Sequence, residues 1–212
     1  MRGGCDMAKV INAEKISMVS VSKMSGKLAG IPAINTNTAT NAYCIKQYES
    51  GGSDNICTMC YSQRMLSTYR KSCQPSFQRN SDILSSDREV DIPKINAAFV
   101  RFHGHGELIN DTHFLNLCDI AESNSHCTFA LWTKRVDIVR PNRHHVPENM
   151  ILVYSNPKID RVMRKPPRGF HRVFNNVTTK YRGDANCTGQ KCIDCQLCYK
   201  FDTTSVIVEH VK

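Results

Sequence analysis

Eleven cysteines in 212 residues constrain this chain more than any other feature. Seven of them form two groups: Cys44 with Cys57-x2-Cys60, and Cys187 with Cys192-x2-Cys195-x2-Cys198. In an oxidising compartment such a count signals disulfides; in a reducing one, C-x2-C spacing signals metal or redox chemistry. Residues 1–30 are polar, carry Lys9, Lys15, Lys23 and Lys27, and lack the apolar stretch of a secretory signal. No run of about eighteen uncharged apolar residues occurs, so no membrane-spanning helix is expected. A cytoplasmic protein is therefore expected, and the odd count leaves at least one thiol free in any all-disulfide scheme.

At this length one domain is the default, and 41% hydrophobic against 22% charged residues suits a folded core rather than disorder. Five short apolar runs, 31–37, 97–107, 127–135, 150–156 and 172–178, are rich in β-branched and aromatic residues. They are too short for helices and predict buried strands. Segment 57–73 has no Gly or Pro, and Tyr61, Met65 and Tyr69 recur at every fourth position, which predicts a helix. Pro75 ends or restarts it, and 78–86 is a candidate second piece. Segment 111–123 is the clearest helix, capped by Asn110 or Asp111, with Phe114, Leu117, Cys118 and Ala121 on one face. Segments 135–140 and 158–163 allow only short helices.

Alternating strands and helices predict right-handed crossovers and a parallel sheet, either open or a partial barrel. Ligands then bind at the carboxyl ends of the strands. The polar clusters there are Asn35–Thr36–Asn37, His103 to Glu107, Thr133–Lys134–Arg135, Ser155–Asn156 and Asn175–Asn176. The expected organisation is an N-terminal segment 1–30, an α/β partial-barrel region 31–180 and a cysteine-rich, metal-binding segment 181–212, all in one compact domain.

Each cysteine group is suited to a metal centre. Cys57 and Cys60 are three apart, and Cys44 lies upstream with twelve residues between it and Cys57, across a loop containing Gly51 and Gly52, a length that closes at small entropic cost. The quartet Cys187, Cys192, Cys195 and Cys198 packs four thiols into twelve residues. Zinc accepts four thiolates, but zinc sites usually pair two C-x2-C knuckles across a spacer. Here the two steps share Cys195, which favours an iron–sulfur cluster, with zinc as the alternative. Cys118 and Cys127 are expected to be buried apolar residues, and Cys5 and Cys73 are unassigned.

The order of these motifs resembles the radical S-adenosylmethionine superfamily, and more closely the small phage-encoded iron–sulfur proteins of the gene product 88 type. The residues that carry the resemblance are Cys44, Cys57-x2-Cys60-Tyr61, Arg101-Phe-His-Gly-His-Gly-Glu107-Leu108, Phe129-Ala-Leu-Trp-Thr-Lys134, Tyr154-Ser-Asn156 and Cys192-x2-Cys195-x2-Cys198-Tyr199. The resemblance implies a truncated parallel (β/α) half-barrel in which Cys44, Cys57 and Cys60 hold three irons of a 4Fe-4S cluster. The fourth iron would bind S-adenosylmethionine, whose ammonium meets Gly106 and Glu107 and whose ribose or carboxylate lies near Ser155 and Asn156. Cys187, Cys192, Cys195 and Cys198 would hold an auxiliary cluster. The superfamily's usual Cys-x3-Cys-x2-Cys is stretched here by a first gap of twelve residues, and five strands are one short of the half-barrel.

The formal charge of +9 attracts phosphates and nucleic acids without naming one. Arg64, Arg70, Lys71 and Arg79 accompany Tyr61, Tyr69 and Phe77. Arg161, Arg164, Lys165, Arg168 and Arg172 surround Phe170 more densely. Either stretch could grip a phosphate backbone and stack a base, and the second is the stronger candidate. His103 and His105, expected to share one strand face, are candidate ligands or proton-transfer groups. Lys23-Met-Ser-Gly-Lys27 lacks the glycine pattern of a nucleotide-binding loop. Three functions follow: a radical S-adenosylmethionine enzyme, a non-catalytic iron–sulfur protein that binds nucleic acid or a host protein, and a zinc-stapled nucleic-acid-binding module.

Overall fold

A computed structural model of the chain describes residues 18–86 and 89–211; Cys5, Lys9 and Lys15 lie outside the described residues. Seven strands form one sheet in strict chain order: β1 (Val21–Ser22), β2 (Ala33–Ile34), β3 (Phe99–Phe102), β4 (Thr128–Thr133), β5 (Met150–Ser155), β6 (Arg172–Val177) and β7 (Val206–His210). β1 runs antiparallel to β2, and every other neighbouring pair is parallel. β2 to β6 fall inside the five predicted runs. β7 comes in addition, because Val206-Ile207-Val208 is a short β-branched run in a segment dominated by cysteines.

Six helices are described: α1 (Ala42–Ser50), α2 (Tyr61–Ser67), α3 (Gln74–Leu84), α4 (Asp111–Ser123), α5 (Val136–Val139) and α6 (Cys192–Cys195). The single helix expected over 57–73 is broken. Ile56–Met59 is a 3-10 turn, Cys60 leaves helical geometry at ψ 112°, and Thr68 ends α2 at ψ −111°. Tyr61 and Tyr69 are exposed, so the fourfold stripe is not a core face; the buried positions are Ser62 and Leu66. Pro75 restarts the chain in the first turn of α3, where its missing N–H costs nothing. Segment 158–163 forms no helix.

Parallel strands in chain order with crossovers of one hand put their helices on one face. Ile83 and Leu84 of α3, Phe114, Leu117 and Ile120 of α4 and Ile138 of α5 pack there against Val100, Phe102, Phe129, Leu131 and Leu152. Each such side chain, fully buried, contributes about 1.5–3 kcal/mol. The other face carries Ala130, Trp132, Ile151 and Val153, and the C-terminal segment covers it with Tyr199, Ile193, Cys192 and Cys198. Buried Arg172 of β6 donates to the carbonyls of Lys200 and Thr204, tying that segment down. β7 then joins the same sheet, so segment 181–211 is built into the fold.

Asn110 caps α4: its Oδ1 accepts from the His113 amide at 2.9 Å, and its Nδ2 donates to the Ser85 carbonyl at 2.9 Å. Asn110→Ala is expected to cost about 1–2 kcal/mol in urea denaturation. A loss below about 0.3 kcal/mol would show that the cap contributes nothing.

Candidate functional site

The first cysteine group lines a cleft at the carboxyl ends of β2 to β5. Cys44 sits in the first turn of α1, where the Asn41 side chain accepts from the amides of Tyr43 and Cys44 at 3.0 and 3.2 Å. α1 then runs outward, and Gly51 turns the chain where a Cβ would lie 2.4 Å from the Gln47 carbonyl. Asn55 closes the excursion: its Nδ2 donates to Gln47 at 2.8 Å and its Oδ1 accepts from the Cys57 amide at 3.0 Å. The twelve-residue gap is thus a helix and a return turn. Cys44, Cys57 and Cys60 line one open cleft enclosing about 660 Å³, its mouth included.

The opposite wall is the loop after β3. Tyr61 donates its hydroxyl to the Gly104 carbonyl, and Ser62 Oγ meets His105 Nδ1 at 2.8 Å. These two bonds clamp the Cys-x2-Cys-Tyr-Ser turn against residues 104–106. Gly106 has φ +119°, and the Glu107 carboxylate behind it is buried. That carboxylate accepts from Thr133 Oγ1, the Leu108 amide at 2.9 Å and the Lys134 amide at 2.9 Å. Lys134 Nζ reaches Ser155 Oγ at 3.2 Å. Burial opposes its charge, but Cys57, Glu107, Tyr43 and Cys60 outweigh that and hold its pKa above the ordinary lysine value. Burial raises the pKa values of the Cys44 and Cys57 thiols, helped by Glu107 and by the neighbouring cysteines. Arg101 lines the cleft with its guanidinium 3.2 Å from the Trp132 ring centroid.

Gly106, Glu107 and Ser155 all line this cleft; Asn156 does not. Its amide donates to Arg161 O at 2.7 Å and Asn175 Oδ1 at 2.9 Å, and accepts from the Lys158 amide at 3.1 Å. The Asn175–Asn176 cluster is likewise absent from the cleft, with Asn175 spent on Met163 and Ile207.

The tail quartet lines a second pocket of about 290 Å³. Cys192 and Cys195 stand one turn apart on α6, and Gln196, left-handed at φ +56°, reverses the chain so that Cys198 returns. Cys187 bridges to the edge of β7 through its amide and the Val208 carbonyl at 3.0 Å. Lys27 donates to Cys187 Sγ at 2.8 Å and pairs with Glu209. Burial pushes the Cys198 thiol up to about 12. All ten described cysteines are free. Among the described residues no three His, Cys, Asp or Glu side chains are grouped to hold a single metal ion.

His103 and His105 do not share a strand face, because β3 ends at Phe102 and His103 takes φ +62°. His113 Nδ1 accepts from the Ile109 amide at 3.2 Å, so its Nε2 carries the proton and faces His103 Nε2 at 3.4 Å. His103 therefore donates from Nδ1 to the Trp132 carbonyl at 3.3 Å. Burial holds the pKa of His103 at about 3 and drives that of His113 well below the ordinary value. Unfolded histidines bind protons below about pH 6.5 and these do not, so the unfolded state holds more protons below that pH, for His103 down to about pH 3. Stability is full above that window and falls as pH drops, by up to about 1.4 kcal/mol per pH unit for each histidine. Denaturation at pH 7 and pH 5 should show this slope, and His113→Gln should make it shallower by the share of one histidine, with His103, His105 and His171 keeping theirs; an unchanged slope in the variant contradicts the assignment.

Sequence reasoning placed Lys134 in a strand-end cluster expected to line the pocket but gave it no role, and it assigned neither Arg101 nor Lys27 to the site. Arg101 and Lys134 gave a signal, a cation within or directly after an apolar strand. Lys27 gave none, since its partners lie 160 and 182 residues away.

No described helix is long and apolar enough to cross a membrane. No curated protein and no solved structure matches the chain. Residues 7–190 match the gene product 88 family, a span that includes Cys44, Cys57, Cys60 and Cys187 and stops before the last three cysteines. The chain belongs to the gene product 88 family of phage-type gene products.

Proposed function

We propose that Cys44, Cys57 and Cys60 hold a 4Fe-4S cluster with one iron open to S-adenosylmethionine, and that Cys187, Cys192, Cys195 and Cys198 hold a second cluster. The carrying observation is that three free thiols from two segments line one cleft in which, among the described residues, no fourth cysteine takes part. Soft thiolates are the donors that iron–sulfur clusters take. Lys134 and Arg101 place two positive charges beside thiols that must lose their protons to bind metal.

When bound, such a cluster supplies one electron for cleaving S-adenosylmethionine. The chain's own residues bind and orient. Glu107 has three of its roughly four acceptor positions filled, which leaves one for the ligand's ammonium. Lys134 and Ser155 offer a cation and a hydroxyl to its carboxylate or ribose. Trp132 and Tyr61 supply apolar surface that excludes water. A half-barrel form of the fold is supported by the strand order and by helices gathered on one face, and β7 supplies the sixth parallel strand.

The test is anaerobic purification with iron, sulfide and zinc analysis, then electron paramagnetic resonance of the reduced protein. Adding S-adenosylmethionine is expected to change the spectrum and to yield 5′-deoxyadenosine. A loaded protein that does neither is a non-catalytic iron–sulfur protein. A colourless zinc protein overturns the proposal altogether.

A further inference from the structure

We infer that the surface formed by α2 and the turn after it binds single-stranded nucleic acid and leads it to the cleft. Between Asp54 and Asp82 the chain has no acidic residue, and Arg64, Arg70, Lys71 and Arg79 are all exposed there. None of these four cations enters an ion pair among the described residues; the pairs formed involve Lys27, Arg135, Lys158 and Arg161. Large apolar side chains are exposed on the same stretch: Met59 at 59%, Tyr61 at 52% and Tyr69 at 71%. Tyr61 also lines the cleft, and Arg64, three residues on, continues the same helix face outward. Unpaired cations track a phosphate backbone, and exposed tyrosine rings stack on bases that are not already paired. A duplex offers no free base faces, so the aromatics select a single strand.

The denser stretch, 161–172, fits less well. Phe170 is buried at 8% and packs on Tyr154, so it cannot stack a base. Arg172 is spent on two backbone carbonyls, and Arg161 faces Asp54 at 3.7 Å. The sequence preference between the two stretches is thereby reversed. The inference stands independently of the metal, because none of the exposed cations lines either cysteine pocket.

Fluorescence anisotropy of the full chain with a labelled mixed-sequence oligonucleotide, single-stranded and duplex, tests it. Single-strand binding is expected to be tighter and to weaken steeply with salt. Tyr69→Ala should weaken it about tenfold without changing the melting temperature. Arg64→Glu with Lys71→Glu should weaken it more than about tenfold and reduce the salt slope. Arg164→Glu with Lys165→Glu makes the same change in net charge and should leave affinity within about twofold. Equal affinity for the duplex, no effect of Tyr69→Ala, or equal losses in the two charge-reversed variants would overturn the inference.

Discussion

Cys57→Ser is expected to lose iron and fold stability in one step. A cluster that only the folded chain can bind adds its binding free energy to folding, and losing a resident metal is among the largest single-residue effects. A loss of about 3 kcal/mol or more lowers the melting temperature of a domain this size by roughly 6–12 °C. Serine keeps the size of the side chain, so packing alone predicts a far smaller change. Cys73→Ser is the matched control: Cys73 is half-buried but lines neither pocket. It should keep its iron and melt within a degree or two of the parent protein. If Cys57→Ser retained iron and melted like the control, Cys57 would not be a ligand.

Gly106→Ala is expected to destabilise the fold by about 3 kcal/mol or more. At φ +119° any side chain is strained, at a cost of about 1–3 kcal/mol. A Cβ there would lie 2.0 Å from Thr36 Oγ1 and 3.0 Å from the Thr36 backbone nitrogen, so the loop would have to move. Such overpacking costs about 1–3 kcal/mol more. Thr36 is itself held, its amide donating to the His105 carbonyl at 3.0 Å, and its hydroxyl has no partner among the described residues. Adding Thr36→Ala removes the nearest atom and should recover the steric share but not the backbone share. Denaturation of both single variants and the double variant gives the coupling. Full additivity would show that the contact does not matter, and a neutral Gly106→Ala would show that the loop adapts freely.

The parts of this fold that the sequence revealed are those whose signal is local. The apolar runs of β4, β5 and β6 and the capped, one-faced helix α4 stand out because neighbouring residues in the chain carry the pattern. α1 was not legible: it buries no residue completely, so it has no apolar stripe to betray it. β1 has only two residues, too few for alternation to register. The break at Cys60 was hidden because a change in ψ needs neither Gly nor Pro, and the segment has neither. In the site, the cysteines declared themselves by spacing and Lys134 by its place after an apolar strand, whereas Arg101 became a site residue only when parallel pairing placed it beside the thiols. Asn156 shows the opposite case, a polar residue at a strand end whose hydrogen bonds are consumed by its own loop.

The thiols of Cys44, Cys57 and Cys60, which line one cleft, are those on which the proposed cluster depends. The most direct measurement is the Mössbauer spectrum of anaerobically reconstituted, isotopically enriched protein in which Cys187, Cys192, Cys195 and Cys198 are all replaced by serine. The account predicts the signal of a single cubane cluster in the cleft, with one iron distinct from the rest and altered by S-adenosylmethionine. A variant that folds but retains no iron, or holds it without that signature, would contradict it.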